Sequence, residues 1–290
     1  MFLFNVKFSY SLNEHNFFNV KEIKSIKYLL FISTILALSR RSWAMIWVCL
    51  EINAISMCYI IDYENKKNKK SHQNIIIYFL VQIIGSIIVL LSRTIETEWS
   101  QFSIILALII KIGGWPSHLW YIKIIDRIEL RKELIILITW QKIIPCWLII
   151  FSNQWVILVS LRILAMLTPI NSLSANKSLK SILGLSSLNN NGWLILCICI
   201  GPSTFFPFLS LYSIGLWRAI KYFKQNKKKN HWKRKEFWIR CYILINMRGL
   251  PPLIIFSGKV LAIRGIFSLT KRQPLALLII IIACFFLYHY

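Results

Sequence analysis

Apolar runs long enough to cross a membrane recur along the whole chain, and nothing else in the sequence constrains its fold as much. A hydrocarbon core about 30 Å thick needs roughly 20 apolar residues in a helix. Lipid offers no partner to a free backbone amide, so a string of such spans must be helical. Hydrophobic residues make up 57% of the 290, above the roughly 45–50% of an ordinary soluble domain. The runs leave no room for a separate soluble domain.

Apolar length and loop signals place ten spans, near 28–39, 43–62, 75–92, 101–122, 134–151, 155–170, 179–200, 205–223, 237–268 and 274–290. The chain then reads as a terminal extension, residues 1–27, followed by a transmembrane domain, residues 28–290. Met1 to Lys27 mixes Glu14 and Glu22 with Lys21, Lys24 and Lys27. It lacks the Arg-rich, acid-poor pattern of a transit peptide. A membrane protein without such a leader is expected to be made inside the organelle or bacterium that uses it.

The formal net charge of +24 could signal nucleic acid, but the basic residues lie mostly in short loops between apolar runs. With ten spans, one side receives the N-terminus and loops 63–74, 123–133, 171–178 and 224–236. These hold Lys66, Lys67, Lys69 and Lys70, and Lys227 through Lys235. The other side receives the remaining loops, with Glu96 and Glu98. This separation is the positive-inside pattern. It puts the N-terminus on the cytoplasmic or matrix side. No nucleic-acid partner is expected; the basic loop 224–236 reads as a solvated loop on that side, with contact to anionic lipid the other reading.

Two spans are interrupted. The fourth reads Lys111-Ile-Gly113-Gly114-Trp-Pro116-Ser-His118; the ninth reads Gly249-Leu-Pro251-Pro252, then Gly258-Lys259. Each holds a lysine beside its break, and each is the fourth member of a set of five. Because five is odd, the second set enters the membrane upside down. Paired interruptions in matching positions point to inverted repeats with a site at the breaks. The expected fold is all-α: a polytopic transmembrane helical bundle of about ten spans, in two inverted five-helix repeats.

Ionisable groups inside a span cost about 2.5–3.5 kcal/mol on insertion scales, so they mark function by default. Glu51 sits mid-span and needs a cation or a proton; Lys111 is its natural partner. Making and breaking such a pair switches a lysine between holding and releasing a proton. A static ion pair locking two helices is the alternative. Lys142, after Trp140-Gln141, has no acidic neighbour within a turn: it either titrates in place or snorkels to the interface. Lys259 would be the far member of a lysine row. His118 is either a helix-end hydrogen-bonding residue or a proton carrier. The run Ser186-Ser187-Leu188-Asn189-Asn190-Asn191 either holds water or joins helices.

Several chemistries find no support. Seven cysteines, Cys49, Cys58, Cys146, Cys197, Cys199, Cys241 and Cys284, form no CxxC pair. They read as small buried hydrophobes. No phosphate loop, nucleotide fingerprint, zinc spacing or catalytic triad is present.

A family resemblance follows from six stretches taken in order: Leu50-Glu51-Ile52-Asn53; Tyr78 to Gln82; Lys111 to Trp120; Thr139 to Pro145; Ser186-Ser187 with Gly192-Trp193; and Gly249 to Pro252 with Phe256 and Lys259. Over roughly residues 28–290 the chain resembles subunit 2 of mitochondrial NADH:ubiquinone oxidoreductase (complex I), one of its antiporter-like membrane-arm subunits. Arg40, Arg41 and Arg248 depart from that family, where small or polar residues are usual. The resemblance implies a proton path with Glu51 and Lys111 as the pair, Lys142 at the centre and Lys259 at the far end, with His118 by the first break. It also implies a mitochondrial inner-membrane location with the N-terminus in the matrix. Partners would be other membrane-arm subunits and lipid. The chain itself would hold no cofactor; NADH, FMN, iron–sulfur clusters and ubiquinone would belong to the rest of the complex. A stand-alone cation/proton antiporter and a purely structural subunit are the other readings.

Overall fold

A computed structural model describes residues 20–39, 42–67, 72–95, 99–128, 132–150, 179–226, 234–250 and 253–270. Among these, every regular element is helical. The first group is α1 (Val20–Ser39), α2 (Trp43–Lys67), α3 (Gln73–Thr94), α4 (Ser100–Ile112), α5 (His118–Arg127) and α6 (Lys132–Ile138). A 3-10 turn (Trp140–Lys142) leads into α7 (Ile143–Ile150). The second group is α8 (Leu179–Ile200), α9 (Pro202–Asn226), α10 (Arg234–Arg248) and α11 (Ile254–Thr270). By length and composition, Trp43–Tyr63, Gln73–Thr94, Glu133–Ile150 and Lys180–Ile200 suffice to cross a membrane. The expected spans 155–170 and 274–290 lie outside the described residues, and with them the full repeat count.

Two expectations need correction. The first span, expected at 28–39, begins at Val20 and is 20 residues long, about 30 Å at a rise of 1.5 Å per residue. Lys21, Glu22, Lys24 and Lys27 end the apolar run without ending the helix. Lys27 Nζ reaches Glu133 Oε1 at 2.6 Å, which ties the polar end of α1 to the start of α6. The fifth span, expected as one helix over 134–151, is interrupted at the Trp140–Lys142 turn. Pro145 explains it. In a continuous helix its missing N–H and its ring would conflict with the carbonyl four residues back, at Gln141. The chain tightens instead, and the Lys142 amide donates to Thr139 O at 3.3 Å.

The core is split in two. One buried apolar cluster contains Leu50, Val89, Ile105, Ile112, Ile143, Trp193 and Phe205. The other contains Met57, Tyr78, Tyr121, Ile138, Leu188, Tyr212 and Ile255. Along several helices the switch between clusters falls at or beside polar residues: Asn53 on α2, Gln82 and Ser86 on α3, Lys111 one residue before the end of α4, Thr139 to Lys142, and Asn189 to Asn191 on α8. All are buried except Trp140 and Gln141. Buried Lys259 falls at the same switch on α11. The bundle is thus two apolar layers with a polar layer between them. The outward faces of α1, α2 and α3 are apolar, with Ile32, Ile35, Val48, Ile55, Phe79 and Ile84 exposed, as suits lipid or neighbouring subunits.

α8 is the central post. It packs against α5, α7, α9, α10 and α11, so its polar residues meet both groups of helices.

Candidate functional site

The first break sits where α4 stops. Gly113 takes a left-handed conformation, φ 79°, which a side chain would disfavour. The amides of Gly113 and Gly114 bond back to Ile110 O and Ile109 O at 3.1 and 2.9 Å. Lys111 is in the last turn and 4% exposed. Its ammonium lies 3.6 Å from Glu51 Oε1, so the expected pair is present. That distance makes it an ion pair rather than a hydrogen bond. Among the described residues, neither Lys111 Nζ nor Glu51 Oε1 has a hydrogen-bond partner. The lysine stem runs over Gly85 of α3, where an added Cβ would stand 2.7 Å from Lys111 Cγ. Its carbonyl, freed by the break, accepts from Gln82 Nε2 at 3.2 Å.

The second interruption carries Lys142. This lysine is 1% exposed, so it does not snorkel. Its Nζ donates to Asn191 Oδ1 at 2.5 Å and lies 4.9 Å from the centre of the Tyr121 ring. Both partners are neutral. The Tyr121 and Ser187 hydroxyls are 3.1 Å apart, which continues the polar contact along α8. Beside Lys142, Gln141 Nε2 donates to Asn53 Oδ1 at 2.7 Å, and Gln141 Oε1 accepts from the Tyr78 hydroxyl at 3.2 Å. The turn holding Lys142 is therefore fastened to α2, two residues from Glu51, and to α3.

The third break precedes α11. Gly249 is left-handed, φ 73°, and its amide bonds to Asn246 O at 2.9 Å. Lys259 is 6% exposed and lies 5.4 Å from the centre of the Trp193 ring. A Cβ on Gly249 would stand 2.8 Å from Lys259 Nζ. Lys111 and Lys259 thus share one device: each lies over a glycine that leaves room for it. Pro251 and Pro252 lie outside the described residues.

His118 is the first residue of α5 and half-buried. Among the described residues its Nδ1 has no hydrogen-bond partner, and it makes no contact with Lys111. Of the polar run on α8, Asn191 and Ser187 join helices, whereas Asn190 meets no hydrogen-bond partner among the described residues. Sequence reasoning missed Asn53, Tyr78, Gln82, Tyr121 and Gln141 as site residues. For all but Tyr121, which follows the third stretch directly, the available signal was their place in the six stretches, as polar or aromatic groups in otherwise apolar helices.

The lysines, the carboxylate and the amides occupy one polar layer between two apolar ones. Such an arrangement can hold and pass protons, because the three lysines are secluded from bulk water while Lys111 and Lys142 lie within reach of other polar groups.

No family model matches the sequence. The chain is 30% identical to NADH-ubiquinone oxidoreductase chain 2 of Artemia franciscana over 284 residues, 91% of this chain and 87% of that one. The protein of the same name from Rhipicephalus sanguineus is 30% identical over 269 residues, 88% and 83% of the two chains. That from Anopheles gambiae is 27% identical over 265 residues, 84% and 76%. The fold matches a chain of respiratory complex I from Thermus thermophilus with a TM-score of 0.74 at 15% identity, covering 93% of this chain and 69% of that one. It also matches a chain of the Mrp complex from Dietzia, TM-score 0.75 at 13% identity, covering 91% and 58%. With 30% identity sustained over most of both sequences, and with the bundle matching a complex I chain in shape, this polytopic membrane chain belongs to the NADH-ubiquinone oxidoreductase chain 2 family.

Proposed function

We propose that the chain is a proton-translocating membrane-arm subunit of respiratory complex I. In this reading Glu51, Lys111, Lys142 and Lys259 form its path, and His118 serves the first break. One observation carries the reading: three lysines, none more than 6% exposed, lie in a polar layer closed above and below by apolar clusters. Evolution has little structural reason to bury three ammonium groups at about 2.5–3.5 kcal/mol each.

The energetics suit a switch. Two charges about 4 Å apart attract by roughly 4 kcal/mol at an effective dielectric constant of about 20. That is the same size as the cost of seclusion, so the Glu51–Lys111 pair sits near balance. Small movements at the α4 break would tip the lysine toward keeping or releasing its proton. The released proton passes to Lys142, whose neutral neighbours Asn191 and Tyr121 leave its charge uncompensated, and then toward Lys259. The chain's own residues hold and move protons; NADH, FMN, iron–sulfur clusters and ubiquinone act in the other subunits.

Purification in mild detergent tests the assignment. The chain is expected to emerge inside a large complex that oxidises NADH. A chain that purifies alone and exchanges cations for protons in vesicles would be a stand-alone antiporter instead.

The location follows as the mitochondrial inner membrane, with the N-terminus and loops 63–74 and 224–236 in the matrix. The lysine-rich loops support this orientation. Protease added to mitochondria stripped of their outer membrane should spare both loops. Cleavage within Lys227–Lys229 from outside would reverse the orientation.

A further inference from the structure

The turn that carries Lys142 sends three side chains in three directions. Trp140, Gln141 and Lys142 form a 3-10 turn, and at about three residues per turn the side chains leave it about 120° apart. Each meets a different part of the bundle. Lys142 reaches Asn191 of α8. Gln141 reaches Asn53 of α2 and Tyr78 of α3. Trp140 reaches α1: its indole Nε1 donates to Thr34 Oγ1 at 3.0 Å. Its ring stands edge-on to Phe31, with centroids 4.6 Å apart and planes at 83°.

The contact with α1 has a fixed polarity. An indole N–H only donates. The Thr34 hydroxyl gives its proton to Phe31 O at 2.7 Å, so toward Trp140 it can only accept. Thr34 is 1% exposed, and a hydroxyl is costly to bury without bonds. Here its bonds run to Phe31 and Trp140, the two residues whose rings meet.

Lys142 needs such a contact. Its partners among the described residues, Asn191 and the Tyr121 ring, are neutral, so neither draws the ammonium as a carboxylate would. The backbone must set the direction of the side chain. A 3-10 turn has poorer hydrogen-bond geometry than an α-helix, and the Lys142 amide bond to Thr139 O is 3.3 Å long. Rotation of so short a turn is checked from outside, through the side chains of Trp140 and Gln141.

We propose that Thr34 and Trp140 are positioning residues, whose hydrogen bond fixes the rotation of the turn and so aims Lys142 at α8. The inference rests on the proton path described above. It gives α1, which carries none of the ionisable groups of that path, a part in the reaction.

The test is made in the assembled complex reconstituted into sealed vesicles, by counting protons translocated per NADH. Thr34→Val keeps the shape and removes the acceptor. Trp140→Phe keeps an aromatic ring and removes the donor. Each should lower the count, with transfer through the turn slowed by about tenfold; a misplacement of about 1 Å can cost about 100-fold, and loss of one hydrogen bond shifts the turn by less. Thr34→Ser, which can still accept, should stay near the parent. The double variant should lose no more than either single one, because the same bond is broken. Lys27→Met is the control. It breaks the other tie between α1 and the interrupted span, Lys27 to Glu133 at 2.6 Å, and should leave protons per NADH at the parent value. Normal pumping by Thr34→Val or Trp140→Phe overturns the proposal. So do losses that add in the double variant, and a serine variant as poor as the valine. So does a Lys27→Met complex that loses as much, since any loosening of α1 would then suffice. Where Thr34→Val does not assemble, Trp140→Phe is read by the same criterion. If Lys142→Arg pumps normally, the path itself is wrong; if Lys142→Arg is uncoupled while Thr34→Val pumps normally, only the aiming by α1 is.

Discussion

Glu51→Gln is expected to destabilise the complex and uncouple it, and a second substitution, Lys111→Met, to restore the stability but not the coupling. Glutamine keeps the shape of the side chain and removes its charge, which leaves the Lys111 ammonium without the carboxylate 3.6 Å away. Breaking a buried pair by removing one partner costs about 3–5 kcal/mol. The expected loss is nearer the lower end, about 3 kcal/mol, because the Glu51 side chain is 22% exposed and the lysine side chain only 1%. The thermal midpoint of the purified complex reports it. Replacing the whole pair by neutral groups of similar volume is often neutral or stabilising, so the double variant should melt close to the parent. It has nothing left to titrate at the first break, so proton translocation per NADH should stay low. A double variant that pumps normally would make the pair a static tie between α2 and α4, the alternative that the sequence left open.

The Glu51–Lys111 pair was legible in the sequence for a simple reason. A charge inside an apolar run is costly wherever it sits, and local composition alone exposes the cost. Gly113 and Gly249 announced the breaks as well, because each is followed within three residues by a proline inside an apolar span. The partners of Lys142 were not legible. Asn191 lies 49 residues further along the chain, and amides are common enough in membrane helices to carry no signal by themselves. The interruption at Trp140–Lys142 was also missed, although Pro145 marks it. The effect of a proline falls four residues upstream, so the apolar run around it looks unbroken. The start of α1 was missed for the opposite reason. Four charged residues ended the apolar window, but Glu22 and Lys24 face outward, and Lys27 finds Glu133 on a distant helix.

The division of the core was out of reach of the sequence as well. Apolar residues occur on both sides of each polar position with no change in composition. Only packing shows that they form two clusters with a polar sheet of residues between them. That division bears on the proposed proton path. It places Lys111, Lys142 and Lys259 between the same two apolar clusters rather than scattered through one.

Lys142 is where the proton-path reading and the bracing-subunit reading part most sharply. Lys142→Met removes the ammonium, keeps most of the volume, and leaves Asn191 Oδ1 without its donor at 2.5 Å. One unsatisfied buried acceptor costs about 1–3 kcal/mol, which an assembled complex of this size tolerates. Assembly and NADH oxidation should persist, with fewer protons moved. Lys142→Arg asks the harder question. Arginine keeps the positive charge and can still donate to Asn191, so any structural duty of the cation is preserved. It does not release its proton in proteins. The measurement is the number of protons translocated per NADH oxidised by the assembled Lys142→Arg complex in sealed vesicles. The proton-path account predicts a loss as large as that of Lys142→Met; a ratio equal to the parent's would contradict it and leave the chain a brace.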